Sequence, residues 1–177
     1  MKLFIMLSRL PYPLEKGDKL RAYHQLKYLS KQHEVHLCCI SDVPVNDADR
    51  QAVEKVCSSL TIHRITPFRI RLRLFTNLFG KRPFQVAYFY DKRIQRKVRE
   101  QVSDLKPDHI YCQLVRTSEY VKRFYTIPKT IDYMDALGTG MQRMQQSASF
   151  WRKPIYGWEH KRLSEYESVI YDYFDHH

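Results

Sequence analysis

The run Leu3-Phe4-Ile5-Met6-Leu7 leads into Ser8-Arg9-Leu10-Pro11-Tyr12-Pro13-Leu14-Glu15-Lys16-Gly17-Asp18, and a helical pattern begins at Lys19. A continuous apolar run of about five residues reads as a strand buried on both faces, the kind a parallel sheet requires. Asp18 stands where an N-cap belongs, and Ala22, Leu26 and Leu29 recur at helical spacing along one face. The unit is strand, long loop, helix. Pro11 and Pro13 have no amide to donate and hold φ fixed, which keeps the loop extended. Gly17 is free to take a positive φ and leaves its amide uncovered before a helix N-terminus, where a phosphate or carboxylate is favoured. Gly17-Asp18 reads equally as a plain turn and cap.

Outward from this unit the same alternation continues. Glu34 to Ser41 reads as a second buried strand, Asp47 to Ser58 as a helix, and Leu60 to Ile65 as a third strand closed by Pro67. Phe84 to Tyr90 reads as an aromatic connection. Asp91 caps a helix from Lys92 to Asp104, with Ile94, Val98, Val102 and Leu105 along one side. His109 to Cys112 is a fourth strand, Glu119 to Tyr125 a helix, Lys129 to Met134 a fifth strand, and Tyr156 to Tyr173 a last helix. Strands alternating with helices predict an α/β fold with a doubly wound, mainly parallel sheet and right-handed crossovers. All 177 residues fit one domain large enough for a real core.

Composition narrows the partners. No apolar stretch reaches the roughly eighteen residues of a spanning helix, and the five-residue run after Met1-Lys2 is too short for a signal-peptide core. Cys38, Cys39, Cys57 and Cys112 lack metal-ligand spacing and read as free thiols of a reducing cytoplasm, so no metal is expected. The net charge of +11 is the outlying number. Between Arg64 and Arg99 the basic residues Arg69, Arg71, Arg73, Lys81, Arg82, Lys92, Arg93, Arg96, Lys97 and Arg99 meet only Asp91. Such a field attracts phosphates on nucleic acid, anionic lipid or a phosphorylated substrate. Phe68 to Phe79 favours a helix with arginines beside an aromatic and leucine face, which suits the surface of an anionic bilayer or a helix covering its own domain.

In open α/β sheets ligands bind beyond the carboxyl ends of the strands. Gly17, Gln113, Arg116, Asp132 and Asp135 are therefore expected on one rim, and Arg143, Arg152 and Lys153 are further anion candidates in the polar stretch that follows. Asp132 reads equally as a carboxylate bonded to backbone amides, and Asp135 as a helix cap.

The opening Ser8-Arg9-Leu10-Pro11-Tyr12-Pro13 with Lys16-Gly17-Asp18-Lys19-Leu20-Arg21-Ala22-Tyr23-His24-Gln25-Leu26 resembles the first loop and helix of glycosyltransferase family 4, above all its exopolysaccharide and PEP-CTERM-associated branch. His33 to Leu37, Asp132 to Leu137 and Arg162 to Glu167 agree in order and spacing. The resemblance implies a Rossmann-like fold, the acceptor-side N-terminal half of a GT-B enzyme over residues 1–177, with the donor-binding C-terminal domain absent from them and little activity expected without it. It implies retaining transfer from a nucleotide-sugar to a saccharide or lipid-linked acceptor, with no metal or other cofactor, by a cytoplasmic protein peripheral to the membrane's inner face. By the same resemblance, Lys16, Gly17, Asp18, Arg21, Gln113, Arg116 and Arg143 would contact donor phosphate or acceptor. Asp135 or Asp132 would orient or deprotonate the acceptor hydroxyl. A nicotinamide-binding domain is disfavoured because the first turn lacks G-x-G-x-x-G. A basic phosphate- or nucleic-acid-binding domain without catalysis is the alternative, although no nucleic-acid motif is present.

Overall fold

The computed structural model describes residues 1–133 and 144–177. Five parallel strands, β1 (Lys2–Leu7), β2 (Glu34–Ser41), β3 (Ser59–Arg64), β4 (His109–Gln113) and β5 (Lys129–Asp132), lie in the order β3-β2-β1-β4-β5. This is the expected α/β Rossmann-like sheet. β1 is central, with Met6 opposite Cys38 on one side and Cys112 on the other. Its alternating side chains feed two cores, as a period of two demands. Leu3, Ile5 and Leu7 pack with Val35, Leu37, Ala22 and Leu26 under α1 (Gly17–Leu29) and α2 (Asp47–Glu54). Phe4 and Met6 pack with Cys38, Ile40, Ile110, Cys112 and Ile131 on the other face. That face is covered by α3 (Pro67–Asn77), α4 (Phe84–Phe89), α5 (Lys92–Leu105), α6 (Ser118–Val121) and α7 (Lys153–Tyr171). The last residues run beside β5, where Ile131 N–H donates to the His176 carbonyl at 3.0 Å.

Several element ends differ from expectation for local reasons. α1 starts at Gly17 with Lys16 as N-cap, because the Lys16 carbonyl already accepts from Leu20 N at 2.9 Å and the Asp18 carboxylate turns to Arg9. Asp18 is thus a first-turn residue and not the cap. Gly17 has no positive φ. α2 is capped by Asn46, which accepts from Asp49 N, and stops at Glu54 because Ser58 is drawn to Val35 by its amide and its hydroxyl. The Phe84 to Tyr90 connection is a helix whose first amides, Phe84 N and Gln85 N, donate to the Glu159 carboxylate of α7 at 2.9 and 3.1 Å. The helix expected at Glu119 shortens to a 3-10 turn, Val115–Thr117, followed by α6. Cys38, Cys39 and Cys112 are buried and Cys57 half-buried, all free. Burial pushes the Cys38 and Cys112 thiols up to about 12.

The second core is tied together by charge as well as apolar area. Glu119, only 7% exposed, pairs with Lys122, with Arg82 at 3.2 Å, and accepts from Tyr166 Oη at 2.7 Å. Burial pushes this carboxyl up, but the hydrogen bonds from Lys122 and Tyr166, then the charges of Lys122 and Arg82, outweigh it and hold the group below its ordinary 4.5. A depressed folded value means the stabilisation is present above the unfolded value and lost as pH falls through the folded one. Glu119→Ala removes the acceptor of Lys122 and Tyr166 and the partner of the half-exposed Arg82, and should cost about 2 kcal/mol at neutral pH. Urea denaturation at a series of pH values should show the gap to wild type closing below the ordinary 4.5.

Candidate anion-binding rim

The order β3-β2-β1-β4-β5 reverses direction between β1 and β4, so the loops leaving these strands part and open a crevice at their carboxyl ends. Arg9 stands two residues past β1. On the far side Leu114, with φ 65°, turns the chain off β4, and Arg116 follows in the 3-10 turn. A non-glycine residue in this region costs on the order of 1–3 kcal/mol, which the Leu114 N–H to Asp132 carbonyl bond of 2.8 Å helps to hold. Arg9 and Arg116 line one cleft of about 330 Å³ with Asp42, Gln85, Tyr88 and Phe89.

The first turn of α1 stands at this cleft. Arg9 Nε lies 3.5 Å from Asp18 Oδ2, while Arg116 Nε donates to Gln85 Oε1 at 3.0 Å. Burial, and then the like charge of Arg9, lower the Arg116 pKa from its ordinary value, while Asp18 acts in the opposite sense. Two guanidiniums therefore share a partly desolvated site with Asp18 as the carboxylate that pairs with Arg9. A Cβ added at Gly17 would meet nothing within 4 Å, so space remains beside the first amides of the helix, of which Lys19 N–H donates to Asp18 Oδ1 at 3.0 Å. Arg9, Lys16 and Lys19 also line an adjoining cleft of about 230 Å³, facing Asp42 and Asp49.

One helical turn past Gly17, Arg21 reaches Asp132 at the end of β5, Nη2 to Oδ2 at 2.8 Å. The same oxygen accepts from Tyr111 Oη at 2.6 Å and from Gln25 Nε2 at 3.4 Å. Burial and then Asp132 raise the Tyr111 phenol well above its ordinary value, so it stays a donor. Beside this network a groove of about 590 Å³ runs along α1 past His24, Gln25 and Tyr28.

The rim thus holds Lys16, Gly17, Asp18, Arg21, Arg116 and Asp132 around the start of α1. Gln113 departs from expectation: it is 4% exposed, lines none of these clefts, and its Nε2 has no hydrogen-bond partner among the described residues. Its side chain follows the pleat onto the α1 face of β4, beneath the rim. Asp135 and Arg143 lie outside the described residues. Arg9, Gln25, Gln85 and Tyr111 were not singled out from sequence. Two signals pointed to them: Gln25 follows Arg21 by four, and Tyr111 precedes Gln113 by two, so each shares a face with a candidate. Among the described residues no group of three or more His, Cys, Asp or Glu is placed to hold a metal ion.

Tyr111→Phe removes a hydrogen bond to a carboxylate and should cost about 2 kcal/mol in chemical denaturation. A loss below about 0.5 kcal/mol, the range of a surface change, would mean that the phenol does not secure Asp132.

No protein-family model and no curated protein matches the chain. Among solved structures, that of TcCGT1 in complex with UDP, a glycosyltransferase, is similar, with a TM-score of 0.47 and 14% identity. The match covers 84% of this chain and 32% of that chain, and it is a likeness of fold.

Proposed function

We propose that this chain is the acceptor-side domain of a sugar transferase, and that the crevice between β1 and β4 receives the diphosphate of a nucleotide-sugar donor. The observation that carries this reading is the pair Arg9 and Arg116 facing one cleft at the point where the strand order reverses. Charge-assisted bonds from guanidinium to phosphate are strong and directional. A leaving diphosphate needs such donors in place before its charge develops. The uncovered amides at Gly17 add to the same potential. The opening motif's resemblance to family 4 supplies the reaction class, retaining transfer to a saccharide or lipid-linked acceptor.

In this reading Asp132 positions the acceptor. Its Oδ2 already takes donors from Arg21, Tyr111 and Gln25, an arrangement that orients a neighbouring hydroxyl better than it removes a proton. Taking the acceptor's proton falls to Asp135. Arg21 balances the Asp132 charge and faces the groove along α1, the side on which the acceptor is held. The alternative, a phosphate- or nucleic-acid-binding domain without catalysis, draws on the basic excess between Arg64 and Arg99, none of whose cations lines the cleft of Arg9 and Arg116.

Titration calorimetry with UDP and with inorganic pyrophosphate discriminates the two. Arg9→Ala and Arg116→Ala should each weaken binding about tenfold, the loss of one charge-assisted contact worth about 1.4 kcal/mol. Gly17→Ala should keep the melting temperature, since its Cβ meets open space, and still weaken pyrophosphate. Unchanged affinity in both arginine variants contradicts the proposal. So does a single-stranded oligonucleotide that binds tighter than UDP with a steep salt dependence lost in Arg69→Gln.

A further inference from the structure

Helix α3 carries two apolar faces, and only one of them serves the domain. Ile70 is buried and Leu74 packs on the core beside it. Arg73 also points inward, donating to the Tyr90 carbonyl and lying 3.8 Å from Asp91, so it does not belong to the outer face expected for it. Asn77 Nδ2 donates to the Arg82 carbonyl at 2.7 Å. On the opposite side Phe68, Leu72, Phe75 and, just past the helix, Phe79 follow one another at helical spacing and are 75%, 55%, 65% and 91% exposed. Arg69 and Arg71 flank this stripe, both exposed.

A second exposed apolar group adjoins it. At the start of α7, Phe150, Trp151, Ile155 and Trp158 are all exposed. Trp158 meets Phe84 edge to face at 5.2 Å, and Arg162, stacked 4.3 Å over Trp158, donates to the Gly80 carbonyl at 2.6 Å. These contacts fasten the first turns of α7 to the loop that ends α3, so the second group adjoins the end of the stripe at Phe79. Contiguous exposed aromatic surface on this scale marks an interaction site. Its charge is of one sign. No Asp or Glu occurs from residue 55 to 90 or from 136 to 158, whereas Arg69, Arg71, Lys81, Arg152 and Lys153 stand exposed around the apolar residues.

We propose that this face docks peripherally on an anionic lipid bilayer, with Phe68, Phe75, Phe79 and Trp151 entering the headgroup and upper acyl region and the arginines and lysines meeting lipid phosphates. Interfacial helices bind in this way, by apolar burial joined to attraction for anionic headgroups. Tryptophan is at home at that depth, with an apolar body and a polar edge. A second copy of the chain is the poorer occupant, because two such faces would set like charges against each other. The proposal does not depend on the sugar-transferase reading. The two are adjacent in space, since Phe84 lines both this face and the cleft of Arg9 and Arg116.

Both tryptophans of the chain, Trp151 and Trp158, lie in the proposed face, so their emission reports on it directly. With vesicles of phosphatidylcholine and phosphatidylglycerol, the chain should float and its emission shift to the blue, with far weaker binding to phosphatidylcholine alone. The double variant Phe75→Ser, Phe79→Ser should lose about tenfold in vesicle affinity with its melting temperature kept, and Trp151→Ser should repeat the effect on the other helix. Arg69→Gln with Arg71→Gln should weaken binding to the anionic vesicles alone. No flotation, an unshifted emission, or binding indifferent to both aromatic variants overturns the proposal. Concentration-dependent self-association abolished by Phe75→Ser, Phe79→Ser, with no vesicle binding, overturns it in favour of a contact between copies. UDP affinity, measured without vesicles, is unaffected by any of these results.

Discussion

The reversal of strand order at β1 is the constraint on which the other features rest. β2 pairs with one edge of β1 and β4 with the other, all running the same way, so the chain must leave the carboxyl ends of β1 and β4 towards opposite faces. The loops that do so carry Arg9 and Arg116. Like charges would ordinarily be spread over a surface, yet here two guanidiniums are brought to one cleft with Asp18 paired to one of them and burial acting on the other. In the proposed reading an incoming phosphate would relieve a repulsion that the fold itself imposes.

The layer that builds the far wall of this crevice is held by buried charge reaching across the sequence. Glu159 supplies both hydrogen-bond acceptors for the first amides of α4, and Arg162 secures the loop before it through the Gly80 and Arg82 carbonyls. Burial raises the Glu159 carboxyl and the two amide donors oppose that rise. α4 in turn presents Gln85 to Arg116 and Phe89 beneath it. The position of one rim arginine thus depends on a glutamate in the last helix. Leu163 and Ile170 of that helix anchor it in the core, while its first turns carry exposed aromatic residues.

Most of the fold was legible because it is written in periods. β2 runs Glu34–Ser41 as its apolar run predicts, and α5 follows Ile94, Val98 and Val102 under an Asp91 cap. What escaped was written elsewhere in the chain. The α4 segment has no local cap, since its acceptor comes from Glu159, so Phe84 to Phe89 gave no sign of a helix. Asp18 looked like a cap because short acidic residues usually are, but an arginine in the preceding loop competes for it. The aromatic residues of Phe68 to Phe79 left two orientations open, because a helix with apolar residues on opposite sides does not say which side the domain takes. At the rim, Gly17, Asp18, Arg21, Arg116 and Asp132 could be named from strand ends and the opening motif. Tyr111 and Gln25 were not named, since sharing a face with a candidate is a weak signal for a strand tyrosine and a helix glutamine until packing brings both to Asp132.

The claim that the crevice is an anion site is tested most directly by mapping backbone and arginine side-chain NMR shifts as inorganic pyrophosphate is added. The account predicts that the largest changes fall at the amides of Gly17 and Asp18 and at the Nε groups of Arg9 and Arg116. Changes confined to the basic stretch from Arg69 to Arg99, with Gly17 and Arg116 unmoved, would contradict it.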